Sequence, residues 1–223
     1  MKLSCAALIL LLFLLGCSGA RSVGTPSSNS ELLTAGTWTI RYSPGMPFHP
    51  YPSNVGQWYF DFPTDPNSSV NYVTASYRSS TAPSQMVSVT FTISTTGNPV
   101  FNYQLGDPEN TCNYPAHVRL FLERSDDDMS SEFYRWWSNP VSYELAATSN
   151  GAVTLSAPLL PHDWSSVLGR FGDENQDTIN GFNSALRHLG NVGMTYGGGC
   201  FAGHGVNVSG GTARFTLLNY SVN

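Results

Sequence analysis

From Thr37 to the end of the chain, apolar side chains recur at every second position in short runs broken by turn residues. In the clearest run, Val87, Val89, Phe91 and Ile93 alternate with Ser88, Thr90, Thr92 and Ser94. A period of two sends successive side chains to opposite faces, so such a run is a strand with one face in a core and one in water. Antiparallel sheets tolerate that arrangement, whereas parallel strands are buried on both faces. Trp38, Ile40 and Tyr42 repeat the pattern, as do Trp58, Phe60 and Phe62, and then Val118, Leu120 and Leu122 opposite Arg119, Phe121 and Glu123. Many short strands at this spacing predict an all-β, antiparallel β-sandwich.

Further strands are expected at Phe133–Trp137, Val141–Ala146, Ala152–Ser156, Val192–Tyr196 and Thr212–Val222. The last run changes phase: Ala213, Phe215 and Leu217 share one parity, and Leu218, Tyr220 and Val222 the other, which a β-bulge near Leu217–Leu218 would reconcile. One helix is expected, capped by Asp173 or Asp177, ending near His188 before Gly190, with Ile179, Phe182, Leu186 and Leu189 on its apolar stripe. With no repeat and no internal linker, residues 37–223 read as one domain, preceded by a flexible tether over 21–36.

Only 11% of the 223 residues are charged, against roughly 25% in typical soluble domains. The single lysine is Lys2, and the net charge is −5. Such a chain is poorly suited to nucleic acid or anionic membranes, and it has no lysine for Schiff-base chemistry beyond its leader. Lys2 and the apolar run Ala6–Leu15, too short to span a bilayer, read as a signal peptide over residues 1–20. Leu14-Leu15-Gly16-Cys17 resembles the lipobox of bacterial lipoproteins, which implies lipidation of Cys17, an N-terminal anchor as the membrane contact, and a place in the bacterial cell envelope. The rival is ordinary cleavage after Ala20 and secretion.

After export, Cys112 and Cys200 are the remaining cysteine pair, and an oxidising compartment favours a disulfide between them. It would close a loop of about 90 residues and contribute roughly 4 kcal/mol in the chain-entropy description. It would also pin Gly197-Gly198-Gly199-Cys200-Phe201-Ala202-Gly203-His204-Gly205, the glycine-rich connection before the final strand. Cys112, His117, Cys200 and His204 could alternatively hold zinc, and Cys200 with His204 could form a nucleophile pair, but the spacings are loose and export favours the disulfide, so no metal site is assigned.

The second half has a recognisable order: a strand leading to Pro158-Leu159-Leu160-Pro161 and Asp163-Trp164-Ser165-Ser166-Val167, a helical segment, Val192-Gly193-Met194-Thr195-Tyr196, and a closing strand Ala213–Tyr220. Over residues 117–223 this resembles the galactose-binding-like jelly roll of carbohydrate-binding modules. The resemblance implies non-catalytic sugar binding on a sheet face or edge loops. Structural calcium, common in such modules, would fall at Asp126-Asp127-Asp128 or at Asp173, Glu174 and Asp177. No other cofactor is expected.

Sugars are held by flat aromatic faces and by planar polar groups that bond hydroxyls. In Glu132-Phe133-Tyr134-Arg135-Trp136-Trp137, Phe133 and Trp137 are assigned inward as the more apolar set, with Arg135 needing a partner such as Glu144 or Asp163. Tyr134 and Trp136 then face outward beside Arg119, Phe121 and Glu123, and His204 reaches the ligand from its loop. These six residues form the expected ligand site. A protein-docking face in the envelope is the first alternative. A glycoside hydrolase using two of Asp61, Glu123, Glu132 and Glu144 is the second. Ligand identity and oligomeric state do not follow from these residues.

Overall fold

A computed structural model of the chain describes residues 31–33, 37–42, 51–52, 57–103, 115–147, 151–198 and 204–223. The strands are β1 (Glu31–Leu32), β2 (Trp38–Tyr42), β3 (Tyr51–Pro52), β4 (Trp58–Asp61), β5 (Val70–Ser76), β6 (Met86–Tyr103) and β7 (Ala116–Arg124). They continue as β8 (Arg135–Ser138), β9 (Tyr143–Glu144), β10 (Val153–Pro158), β11 (Trp164–Ser166), β12 (Leu189–Gly198) and β13 (Val206–Val222), with one helix, α1 (Gln176–Arg187), among the described residues. All pairings are antiparallel, in the order β10-β6-β13-β5-β12-β7-β8-β11. β2 adds to β5, β4 to β13, β3 to β4, β1 to β13 and β9 to β7. The sheet curls as a half-barrel, giving the sandwich-like all-β fold expected from the alternation.

The curl closes because two sets of alternating residues meet face to face. From β2, β5, β12, β7 and β8 come Ile40, Val73, Val192, Met194, Tyr196, Val118, Leu120, Leu122 and Trp136, and from β4, β6 and β13 come Trp58, Phe60, Val89, Phe91, Phe215 and Tyr220, in one buried cluster. Ring contacts join the two sets: Phe60 to Tyr196 at 5.5 Å, Tyr196 to Phe215 at 5.8 Å, Trp38 to Tyr220 at 4.9 Å. The Tyr220 hydroxyl crosses the interior and donates to the Gly193 carbonyl at 3.0 Å. The register between β13 and β6 shifts between Leu217 and Asn219, where the parity change in the sequence requires a bulge.

The helix starts between the two acidic residues expected to cap it. Asn175, rather than Asp173 or Asp177, is the cap: its side chain accepts from the backbone N–H groups of Asp177 and Thr178, and the Thr178 hydroxyl oxygen accepts from the Asn175 N–H at 3.0 Å. His188 ends it. The fully buried stripe is Thr178, Phe182 and Ala185, with Ile179 and Leu186 only flanking it. Phe182 meets Trp136 at 5.2 Å and Trp164 at 6.2 Å, so α1 closes the open side of the core beyond β8 and β11.

Candidate binding groove

The expected site residues divide among four environments. Arg119, Phe121 and Glu123 do share the outer face of β7, as alternation predicts. Trp136 does not join them. Residues Glu132–Tyr134 form a 3-10 turn capped by Ser131, whose hydroxyl oxygen accepts from the Phe133 N–H at 3.2 Å, so the strand begins only at Arg135. Trp136 pairs with Leu122 and points into the core, fully buried, stacked on Phe133 at 6.0 Å. Trp137 pairs with Phe121 and occupies the outer face. The expected inward position of Trp137 and outward position of Trp136 are thus exchanged.

The outer face of this half of the sheet is a filled layer. Tyr72 on β5 reaches over β12 to Phe121 at 5.1 Å, and Phe121 meets Trp137 at 5.6 Å. Gly193 lies between Thr74 and Phe121 in register, and a Cβ there would run into the Val73 carbonyl and Thr74 Cα, so the glycine lets β12 lie close against β5. Arg119 donates to the Ser138 carbonyl at 2.7 Å, and burial lowers its pKa. Glu123 accepts from Asn191 at 2.8 Å and lies 3.7 Å from Arg41, yet burial pushes its carboxyl above the ordinary range. Arg135 sits 2.9 Å from Asp127, in place of the expected Glu144 or Asp163; the N–H is not aligned on the carboxylate, so the attraction is of charge rather than a hydrogen bond. Phe121 is 1% exposed and Trp137 6%. The rings of Phe121 and Trp137 are therefore covered, and Tyr72 is half-buried against them.

Tyr134 leads elsewhere. With Phe133 it lines a groove of about 380 Å³ between the 131–134 turn and α1, completed by Arg124, Arg170, Asp177, Asn180 and Ser184. Gly181 makes this junction possible, because a Cβ there would lie 2.7 Å from Phe133 Cγ. The Arg124 guanidinium stands 4.4 Å from the Tyr134 ring centre, covers one face of that ring, forks onto Asp126 at 2.8 and 2.6 Å, and donates to the Ser184 hydroxyl at 3.0 Å. That fork holds the Asp126 carboxyl below its ordinary range. Arg170 lies 5.6 Å over Phe133 and pairs with Glu132 at 3.0 Å and Glu174 at 3.4 Å. Both arginines are engaged by neighbouring carboxylates, and Asp177 adds a further one to the lining, so the groove offers fixed planar donors and acceptors and no unengaged guanidinium.

His204 is exposed just before β13, and partial burial lowers its pKa. Cys17, Cys112 and Cys200 lie outside the described residues, as do the signal peptide and nearly all of the tether. His117 bonds the Pro115 carbonyl through Nδ1 at 2.7 Å. The acidic turn spends its carboxylates locally: Asp126 on Arg124, Asp127 on Arg135 and the Met129 N–H, Asp128 on the Ser130 N–H. Among the described residues no cluster of three or more His, Cys, Asp or Glu is arranged to hold a metal ion. The four carboxylates considered for hydrolysis have separate settings: Glu132 takes Ser166 and Arg170, Asp61 takes Arg214, Glu123 takes Asn191, and Glu144 stands opposite His117.

No protein-family model matches the chain, and neither a curated protein nor a solved structure matches it significantly.

Arg124, Arg170, Asn180 and Tyr72 were not among the expected site residues, and Asp177 was considered only as a helix cap or calcium ligand. The Ser131 cap is the one sequence signal that places Tyr134 off the strand, and nothing local in the sequence brings Arg170 and Asn180 to it.

Proposed function

We propose that this chain is an exported, non-catalytic binding domain of galactose-binding-like type that holds a carbohydrate or similar polyhydroxylated ligand in the groove beside α1. The observation that carries the reading is the half-buried Tyr134 and Phe133 pair facing a groove of about 380 Å³ walled by Arg124, Arg170, Asp177 and Asn180. The engaged guanidinium groups, Asn180 and the Asp177 carboxylate are planar groups that bond sugar hydroxyls, and the rings offer apolar contact to C–H groups. The export and lipid-anchor parts of the reading rest on residues 1–20 alone. The disulfide part gains support from register: Gly198 lies directly opposite Ala116, so the segments carrying Cys200 and Cys112 leave adjacent strands at the same end.

Affinity-gel electrophoresis over a panel of soluble glycans tests the reading. Retardation by at least one glycan, lost in Tyr134→Ala with an unchanged melting temperature, supports it. Equal mobility of the two proteins in every gel contradicts it. A second reading, docking of another envelope protein, is favoured by an apolar patch on the 160–171 segment: Leu160, Val167, Leu168 and Phe171 are 48%, 40%, 72% and 38% exposed.

A further inference from the structure

The outer face of the other half of the sheet carries a pattern that the α1 groove does not explain. On β10, β6, β13 and β4 the outward residues stand in register rows: Ser156–Ser88–Ser221, Thr154–Thr90–Asn219, Thr92–Thr216, Ser94–Arg214–Asp61 and Thr96–Thr212. Strand spacing sets these groups about 4.8 Å apart across the sheet and about 6.8 Å apart along it. Two of the rows are already tied by hydroxyl pairs, Ser88–Ser156 at 2.8 Å and Thr90–Thr154 at 2.9 Å. At one end the face deepens into a groove of about 500 Å³ whose lining includes Thr64, Ser94, Thr96, Thr212, Asp61 and Arg214.

The groove's two charged residues cancel one another. Arg214 forks onto Asp61 at 2.7 and 2.8 Å and lies 3.9 Å from the Tyr59 ring centre, which makes the pair a flat, fixed wall. That fork also raises the Arg214 pKa, keeping it charged. The hydroxyls supply donors and acceptors that rotate to suit a partner, and the threonine methyls supply apolar contact between them. An acidic polymer would find its one cation here already engaged, and a basic polymer would find its one carboxylate engaged. A neutral chain bearing many hydroxyls matches every group on the face.

We propose that this face is a second binding site, for a neutral, extended polysaccharide seated in the Asp61–Arg214 groove and running along β6 and β13. It shares no residue with the α1 groove and does not depend on the reading given to that groove.

The test is affinity-gel electrophoresis in gels containing mixed-linkage β-glucan, xyloglucan or, as the acidic comparison, polygalacturonate. The variants are Thr96→Val/Thr212→Val, which removes two facing hydroxyls from the groove while keeping β-branched shape, and Tyr134→Ala. The expected result is retardation by a neutral glycan and not by polygalacturonate. Apparent affinity should fall at least tenfold in Thr96→Val/Thr212→Val, with the melting temperature unchanged, and binding should persist in Tyr134→Ala. Absence of retardation in both neutral gels overturns the proposal, as does equal retardation of the double valine variant and the wild type. Loss of all binding in Tyr134→Ala alone assigns the glycan to the α1 groove and overturns this second site.

Discussion

Gly181 of α1 packs directly against Phe133, so closely that a Cβ at Gly181 would lie 2.7 Å from Phe133 Cγ and 2.8 Å from its Cβ. This contact sets the depth of the groove that Tyr134 lines. Helix propensity alone favours Gly181→Ala by about 1 kcal/mol. The contact reverses that sign, because Phe133 must move together with Trp136 stacked on it. Gly181→Ala is expected to destabilise the protein by about 1–3 kcal/mol, measured by urea unfolding. A stabilised variant would contradict the packing described.

Trp136 is a core residue, and its replacement should be felt as stability rather than as ligand affinity. Trp136→Ala is expected to cost about 3–5 kcal/mol, enough to compromise folding. Trp136→Phe, which keeps an aromatic ring against Phe182, is expected to fold with a lower melting temperature and unchanged glycan retardation. Normal melting with lost retardation would return Trp136 to the binding surface.

The outer-face layer contains a hydroxyl that pairs with nothing among the described residues. Thr195 is 1% exposed, and its Oγ1 has no hydrogen-bond partner among the described residues. Valine has the same shape without the desolvated oxygen, so Thr195→Val is expected to raise stability by about 1 kcal/mol. Calorimetry checks this, and a fall in melting temperature would mean that the hydroxyl is engaged.

Glu123 gives the layer a pH dependence. Burial raises its carboxyl above the ordinary range, with Arg41 and Asn191 offsetting only part of that effect. The folded state therefore binds this proton more tightly than the unfolded chain does. The associated stability is fully present below the unfolded pKa and is lost as pH rises through the folded one. Relative to Glu123→Gln, the wild type should be at its most stable near pH 4, just below the usual carboxylate pKa, and should lose ground toward neutrality. Melting curves of the two proteins that stay parallel between those limits would contradict the assignment.

Alternation was enough to read β6, β7 and the bulge at Leu217–Leu218, because one face of each strand is apolar and the other polar. It was not enough for β5, where only Val73 and the small Ala75 follow Val70 on the core side, and so Tyr72 was missed. At Trp136–Trp137 two adjacent tryptophans give periodicity nothing to choose between. The choice is made by the Ser131-capped turn, which delays the strand to Arg135 and reverses its phase. The groove was illegible for a different reason. It exists only once α1 and Arg170 come to rest against the 131–134 turn, and no local pattern encodes that approach.

A disulfide between Cys112 and Cys200 predicts that the unfolded, mature protein shows no reactive thiol from either cysteine before reduction and two after it. Two reactive thiols before reduction would contradict it.

The most direct test of the central claim is a ¹⁵N-resolved NMR titration of the wild-type protein with a glycan whose retardation is lost in Tyr134→Ala. Shifts concentrated at the backbone amides of Tyr134, Asp177, Asn180 and Gly181, and abolished in Tyr134→Ala, are the result this account predicts. Binding with no perturbation in the 131–134 turn or α1 would contradict it.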